Sequence, residues 1–147
     1  MKSEWTSHSP EETIQVAEQL GDKLTRGDIV LLSGPLGSGK TLFVKGLCRA
    51  LKLDELWEVD SPTYTIMKKY ATDPPCYHFD LYRIHSEDEL ESLSFYEIME
   101  SADIKVVEWP ERLVHYRVPG KGFLVQFIKL EKTSRRITVT SFSAENE

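Results

Sequence analysis

Gly34-Pro35-Leu36-Gly37-Ser38-Gly39-Lys40-Thr41 matches the pattern G-x-x-x-x-G-K-[ST]. Ile29 to Leu32, just before it, is a continuous apolar run bounded by turn residues, which suits a strand buried on both faces. Leu42 to Leu51, just after it, resumes with a helical period that places Phe43, Leu47 and Ala50 on one side. The order strand, glycine loop, helix predicts an α/β domain built on a buried sheet. With background glycine at about 7%, the four fixed positions match by accident in roughly one chain of this length in several hundred.

Each fixed position has a physical reason. The glycines let successive backbone N–H groups turn inward on a phosphate, and the following helix adds the partial positive charge of its N-terminus. Lys40 would reach the β- and γ-phosphates, and the Thr41 hydroxyl would occupy one site on Mg²⁺. Gly34, Leu36, Gly37, Ser38, Gly39, Lys40, Thr41 and Leu42 are the expected nucleotide contacts. The competing reading is a glycine-rich turn that binds nothing. ATP is expected over GTP, because no N-K-x-D segment occurs in the chain.

Such a loop also needs a carboxylate at the end of a neighbouring strand to hold the metal. Glu108 ends the apolar run Ile104-Lys105-Val106-Val107, and Asp80 ends Tyr77-His78-Phe79. Glu108 is expected at the metal. Asp80 is expected to orient the attacking water or a switch segment, with a purely structural hydrogen bond as its alternative.

Outward from this centre, Ser9-Pro10-Glu11-Glu12 reads as a capped helix start, followed by the stripe Thr13, Val16, Ala17, Leu20 and Leu24. Strands are expected over Tyr64–Tyr70, Tyr77–Asp80, Ile104–Val107, Phe123–Leu130 and Arg136–Thr140, the last two as a hairpin. Short helices are expected over Glu87–Leu93 and Phe95–Glu100. The polar stretch from Met1 to Pro10 carries no strand expectation.

The 147 residues, 40% hydrophobic and 29% charged, suit one domain spanning residues 1–147 and argue against disorder. No apolar run approaches the ~20 residues that span a bilayer, so a cytoplasmic protein is expected. The formal net charge of −6 argues against a protein that grips nucleic acid unaided. Two cysteines, Cys48 and Cys76, are expected as reduced structural thiols. Cys76 and His78 alone are too few for a zinc site.

The chain resembles the TsaE (YjeE) ATPases of bacterial tRNA modification. The matching segments are Gly34 to Thr41, Ser61-Pro62-Thr63-Tyr64-Thr65, His78-Phe79-Asp80-Leu81-Tyr82-Arg83 and Val107-Glu108-Trp109-Pro110-Glu111-Arg112. Pro35 stands where the family often has an acidic residue, and Ser94 where a glycine is common.

The resemblance implies a P-loop NTPase-like three-layer sandwich: a central, mostly parallel sheet with antiparallel C-terminal strands and helices on both faces. It implies a Mg²⁺-dependent ATPase that supports formation of threonylcarbamoyladenosine beside the tRNA anticodon. That protein would act through a TsaB–TsaD heterodimer and meet tRNA only indirectly. By the same resemblance Lys40, Asp80 and Glu108 are catalytic candidates, Thr41 and Glu108 hold the metal, and Arg135 lies by the nucleotide. Ser61 to Thr65 resembles a switch-like loop, or else a plain proline turn. Trp109 is either a nucleotide-near or partner-facing aromatic or a cap on the core. The competing functions are a small P-loop kinase acting on a small-molecule acceptor and a nucleotide-gated scaffold without hydrolysis.

Overall fold

Ile29–Ser33, the strand that leads into the glycine loop, lies in the middle of a seven-stranded sheet. A computed structural model describes residues 2–53 and 59–143. In chain order its elements are β1 (Lys2–Ser7), α1 (Pro10–Gly21), β2 (Ile29–Ser33), α2 (Lys40–Ala50), β3 (Met67–Tyr70), β4 (Cys76–Asp80), α3 (Glu87–Ser92), α4 (Phe95–Met99), β5 (Ile104–Glu108), β6 (Lys121–Lys129) and β7 (Arg135–Ser143). The strand order is β1-β7-β6-β2-β5-β4-β3. The four central strands β6, β2, β5 and β4 run parallel, and antiparallel pairs flank them at both edges.

Helices α1 and α2 cover one face of the sheet, where Val30, Leu32, Val106 and Val125 meet Ala17, Leu20, Phe43 and Leu47. A Cβ at Gly46 would collide with the Ile14 carbonyl and with Ala17, so the absence of a side chain there is what lets the two helices close. On the other face Phe79, Leu81 and Val107 pack against Leu90, Phe95 and Met99. Phe79 and Phe95 meet edge to face at 4.9 Å, an arrangement worth about 1 kcal/mol beyond the area it buries. The expected three-layer α/β architecture is therefore present.

The start of α1 follows from its residues. Ser9 Oγ accepts from the Glu12 N–H at 3.1 Å, Pro10 takes the first helical position, and Glu12 accepts in return from the His8 N–H at 3.0 Å.

One expected strand needs correction, and one strand was not expected. The strand expected from Tyr64 begins only at Met67, because Ile66 takes φ 69° and the hydroxyls of Ser61 and Thr63 bond to Asp80 at the end of β4. Lys2–Ser7, which carried no expectation, is an edge strand paired with Arg135–Thr140. Its sequence holds one large apolar residue, Trp5, and its order comes from backbone pairing with β7. Ser94 adopts φ 58°, the left-handed conformation that glycine takes without strain. Among the described residues, no helix is long and apolar enough to cross a membrane.

Candidate functional site

The parallel strands β2, β4 and β5 end side by side, which is where open α/β sheets leave a crevice for ligands. Asp80, the last residue of β4, pairs directly with Glu108, the last of β5, and Leu32 near the end of β2 pairs with Glu108 on its other side. The chain leaving β2 turns through the glycine loop and enters α2 at Lys40, so the helix N-terminus faces the same crevice. Gly39 caps that helix at φ 102°, a conformation that costs residues with a Cβ roughly 1–2 kcal/mol.

The resulting cleft of about 480 Å³ is lined by Leu36, Gly37, Ser38, Gly39, Lys40, Thr41, Leu42, Ser61, Thr63, Asp80, Tyr82, Glu108, Trp109 and Arg135. Every expected site residue lines it except Gly34. That residue meets it indirectly, its carbonyl accepting from Lys40 Nζ at 2.7 Å. Leu36 stands at the rim, 63% exposed.

Lys40 is 5% exposed, and its Nζ lies 4.0 Å from the centre of the Trp109 ring. Burial holds the ammonium below its ordinary pKa, while the charges of Glu108, Asp80 and Glu111 act in the opposite sense. Trp109 thus lines the cleft beside the loop lysine. Arg135 donates to the carbonyls of Ser38 at 3.2 Å and Gly37 at 3.3 Å, tying the β6–β7 hairpin to the outer side of the loop.

The two carboxylates have different surroundings. Asp80 Oδ2 accepts from Ser61 Oγ at 2.7 Å and Thr63 Oγ1 at 3.0 Å, and Oδ1 accepts from the Tyr82 N–H at 3.0 Å. Glu108 Oε2 lies 2.6 Å from His78 Nε2, and His78 Nδ1 lies 3.0 Å from the Tyr70 hydroxyl. Burial pushes the Tyr70 phenol well above its usual range, with the nearby Cys48, Asp60 and Cys76 adding to the shift.

The contacts of Asp80 with Ser61 and Thr63, and of Glu108 with His78, lay outside the sequence reading. Period-two alternation places Cys76, His78 and Asp80 on one strand face and so marks His78 as a neighbour of the site. Nothing in a single sequence shows that Glu108 comes from the adjacent strand.

These residues fit a nucleotide with magnesium. Ser38 Oγ is buried and lacks a hydrogen-bond partner among the described residues, in a loop whose turns suit a phosphate. Thr41 and Glu108 offer hard oxygen donors. Among the described residues no group of three or more His, Cys, Asp or Glu side chains could hold a metal. Mg²⁺ suits such a place, because it binds through one or two protein oxygens together with substrate phosphates and water.

Comparison with known proteins gives the chain's family. The family model described as threonylcarbamoyl adenosine biosynthesis protein TsaE matches residues 7–137. The tRNA threonylcarbamoyladenosine biosynthesis protein TsaE of Bacillus subtilis is 35% identical over 138 residues, covering 93% of this chain and 84% of the relative. That of Treponema pallidum is 33% identical over 133 residues, covering 90% and 96%. The crystal structure of Bacillus subtilis YdiB superposes with a TM-score of 0.74 at 26% identity, covering 99% of this chain and 88% of that one.

Proposed function

This chain belongs to the TsaE family of threonylcarbamoyladenosine biosynthesis, and from that premise we propose that it is a cytoplasmic, Mg²⁺-dependent ATPase driving turnover of a TsaB–TsaD complex. The observation that carries the reading is the position of Lys40 between the glycine loop and the paired strand ends Asp80 and Glu108.

In this reading the loop N–H groups and Lys40 bind the phosphates, and Arg135 steadies the loop from outside. Drawing the buried Lys40 ammonium away from Trp109 costs about 2 kcal/mol. Each hydrogen bond from Lys40 to a charged phosphate oxygen is worth roughly 1.5–3 kcal/mol, so contacts to both the β- and γ-phosphates would outweigh the resting contact. Thr41 and Glu108 would hold Mg²⁺, which would supply positive charge to offset that of the phosphates. Asp80 holds Ser61 and Thr63 beside the cleft, and these hydroxyls stand where a segment could respond to the γ-phosphate. The net charge of −6 suits a factor that reaches tRNA through a protein partner.

Phosphate release from Mg²⁺-ATP, by the chain alone and with the TsaB–TsaD pair, tests the proposal. The expected result is slow release alone and clear stimulation by the pair. No release under either condition would leave a nucleotide-gated scaffold, and phosphate appearing on a small acceptor would replace the ATPase with a kinase.

A further inference from the structure

His78 is fully buried in the middle of β4, where an imidazole is costly unless its ring nitrogens are paired. Both are paired, Nε2 with Glu108 at 2.6 Å and Nδ1 with the Tyr70 hydroxyl at 3.0 Å. An ionised carboxylate only accepts, so the tautomer that suits a metal-binding Glu108 is the one in which Nε2–H donates to it. Strand register creates the alignment. His78 lies opposite Val106, two residues before Glu108, and opposite Lys68, two residues before Tyr70. Period-two alternation then puts Tyr70, His78 and Glu108 on the face covered by α1 and α2.

We infer that His78 is a positioning residue: it fixes one oxygen of Glu108, so that the other is presented to the metal in a single orientation, and Tyr70 anchors the imidazole from behind. The inference rests on the assignment of Glu108 to Mg²⁺. Glu108 makes no other side-chain hydrogen bond among the described residues and lines the cleft, which leaves its second oxygen for a ligand. Partners that orient a metal-ligating side chain typically change metal affinity or activity by about 10- to 100-fold when removed. A merely structural histidine would change stability without changing the response to metal.

The test is binding of a non-hydrolysable ATP analogue as a function of Mg²⁺, with thermal unfolding of each variant alongside. His78→Ala is expected to raise the Mg²⁺ concentration for half-maximal tightening by about 10- to 100-fold and to leave binding in EDTA unchanged. His78→Gln keeps an N–H donor near the position of Nε2 and is expected to restore most of the response. Tyr70→Phe, which leaves the Glu108 contact in place, is expected to give a smaller shift in the same direction. Should His78→Ala fail to fold, the shift expected of Tyr70→Phe carries the test.

A wild-type Mg²⁺ response in His78→Ala, or in Tyr70→Phe where His78→Ala does not fold, with a shifted one in Glu108→Gln, overturns the inference and spares the metal assignment. A wild-type protein indifferent to Mg²⁺, or a Glu108→Gln variant with an unshifted response, overturns the metal assignment and the inference together.

Discussion

Glu108→Gln is expected to preserve the fold and nucleotide binding in EDTA and to lower the rate of Mg²⁺-dependent phosphate release by about 100-fold or more. The amide has the size of the carboxylate, and its oxygen can still accept from His78 Nε2, so the buried contact at the end of β5 survives. What disappears is the negative charge assigned to the metal. A metal contributes several kcal/mol of transition-state stabilisation, and each 1.36 kcal/mol is a factor of ten in rate. Steady-state phosphate release measured together with thermal unfolding separates the two effects. A rate equal to wild type would remove Glu108 from the metal site.

Asp80→Ala is expected to lower turnover by a similar factor through a different route. The carboxylate holds three donors, the hydroxyls of Ser61 and Thr63 and the Tyr82 N–H. Ser61 is exposed and Thr63 partly so, and water can replace their acceptor. The loss of stability is therefore about 2 kcal/mol, in the range for donors deprived of a partner, and not the sum of three buried penalties. Catalysis is more sensitive, since misplacement by about 1 Å can cost about 100-fold. Asp80→Asn keeps acceptor capacity and removes the charge, so it separates holding the segment from acting on the reaction. If Asp80→Ala melts earlier yet releases phosphate at the wild-type rate once folded, the alternative of a purely structural hydrogen bond is correct.

The central architecture was legible because its signals are local. Ile29 to Leu32 carries the apolar run of a doubly covered strand, the glycine loop carries a fixed spacing, and Phe43 and Leu47 keep a helical period into the core. The start of the first helix and the hairpin of β6 and β7 were readable for the same reason, whereas its end, expected at Arg26-Gly27-Asp28, comes earlier, at Gly21. Lys2–Ser7 was not, because an edge strand whose pairing with β7 supplies its order needs few apolar residues. The Tyr64–Tyr70 segment misled because Tyr64, Ile66 and Tyr70 carry strand propensity, whereas Asp80, far along the chain, captures Ser61 and Thr63.

The candidate site divides in the same way. Lys40, Thr41 and the two strand-ending carboxylates follow from position within a motif or an element. The chain from Tyr70 through His78 to Glu108 depends on which strands are neighbours: β3 and β4 pair across a short connection, but β4 meets β5 through long-range pairing that no short window of sequence contains. Arg135 is a similar case, since its contact with the loop carbonyls requires the β6–β7 hairpin to close over residues almost a hundred positions earlier.

The most direct measurement for the central claim is isothermal titration calorimetry of ATP against the wild-type chain and against Lys40→Ala, with Mg²⁺ and in EDTA. One site per chain is expected, tightened by Mg²⁺ and weakened by about 100-fold or more in Lys40→Ala, since two charge-assisted phosphate contacts of roughly 1.5 kcal/mol each would be lost. Absence of ATP binding to the wild type, or equal binding by the folded variant, would contradict the assignment of the glycine loop as the nucleotide site.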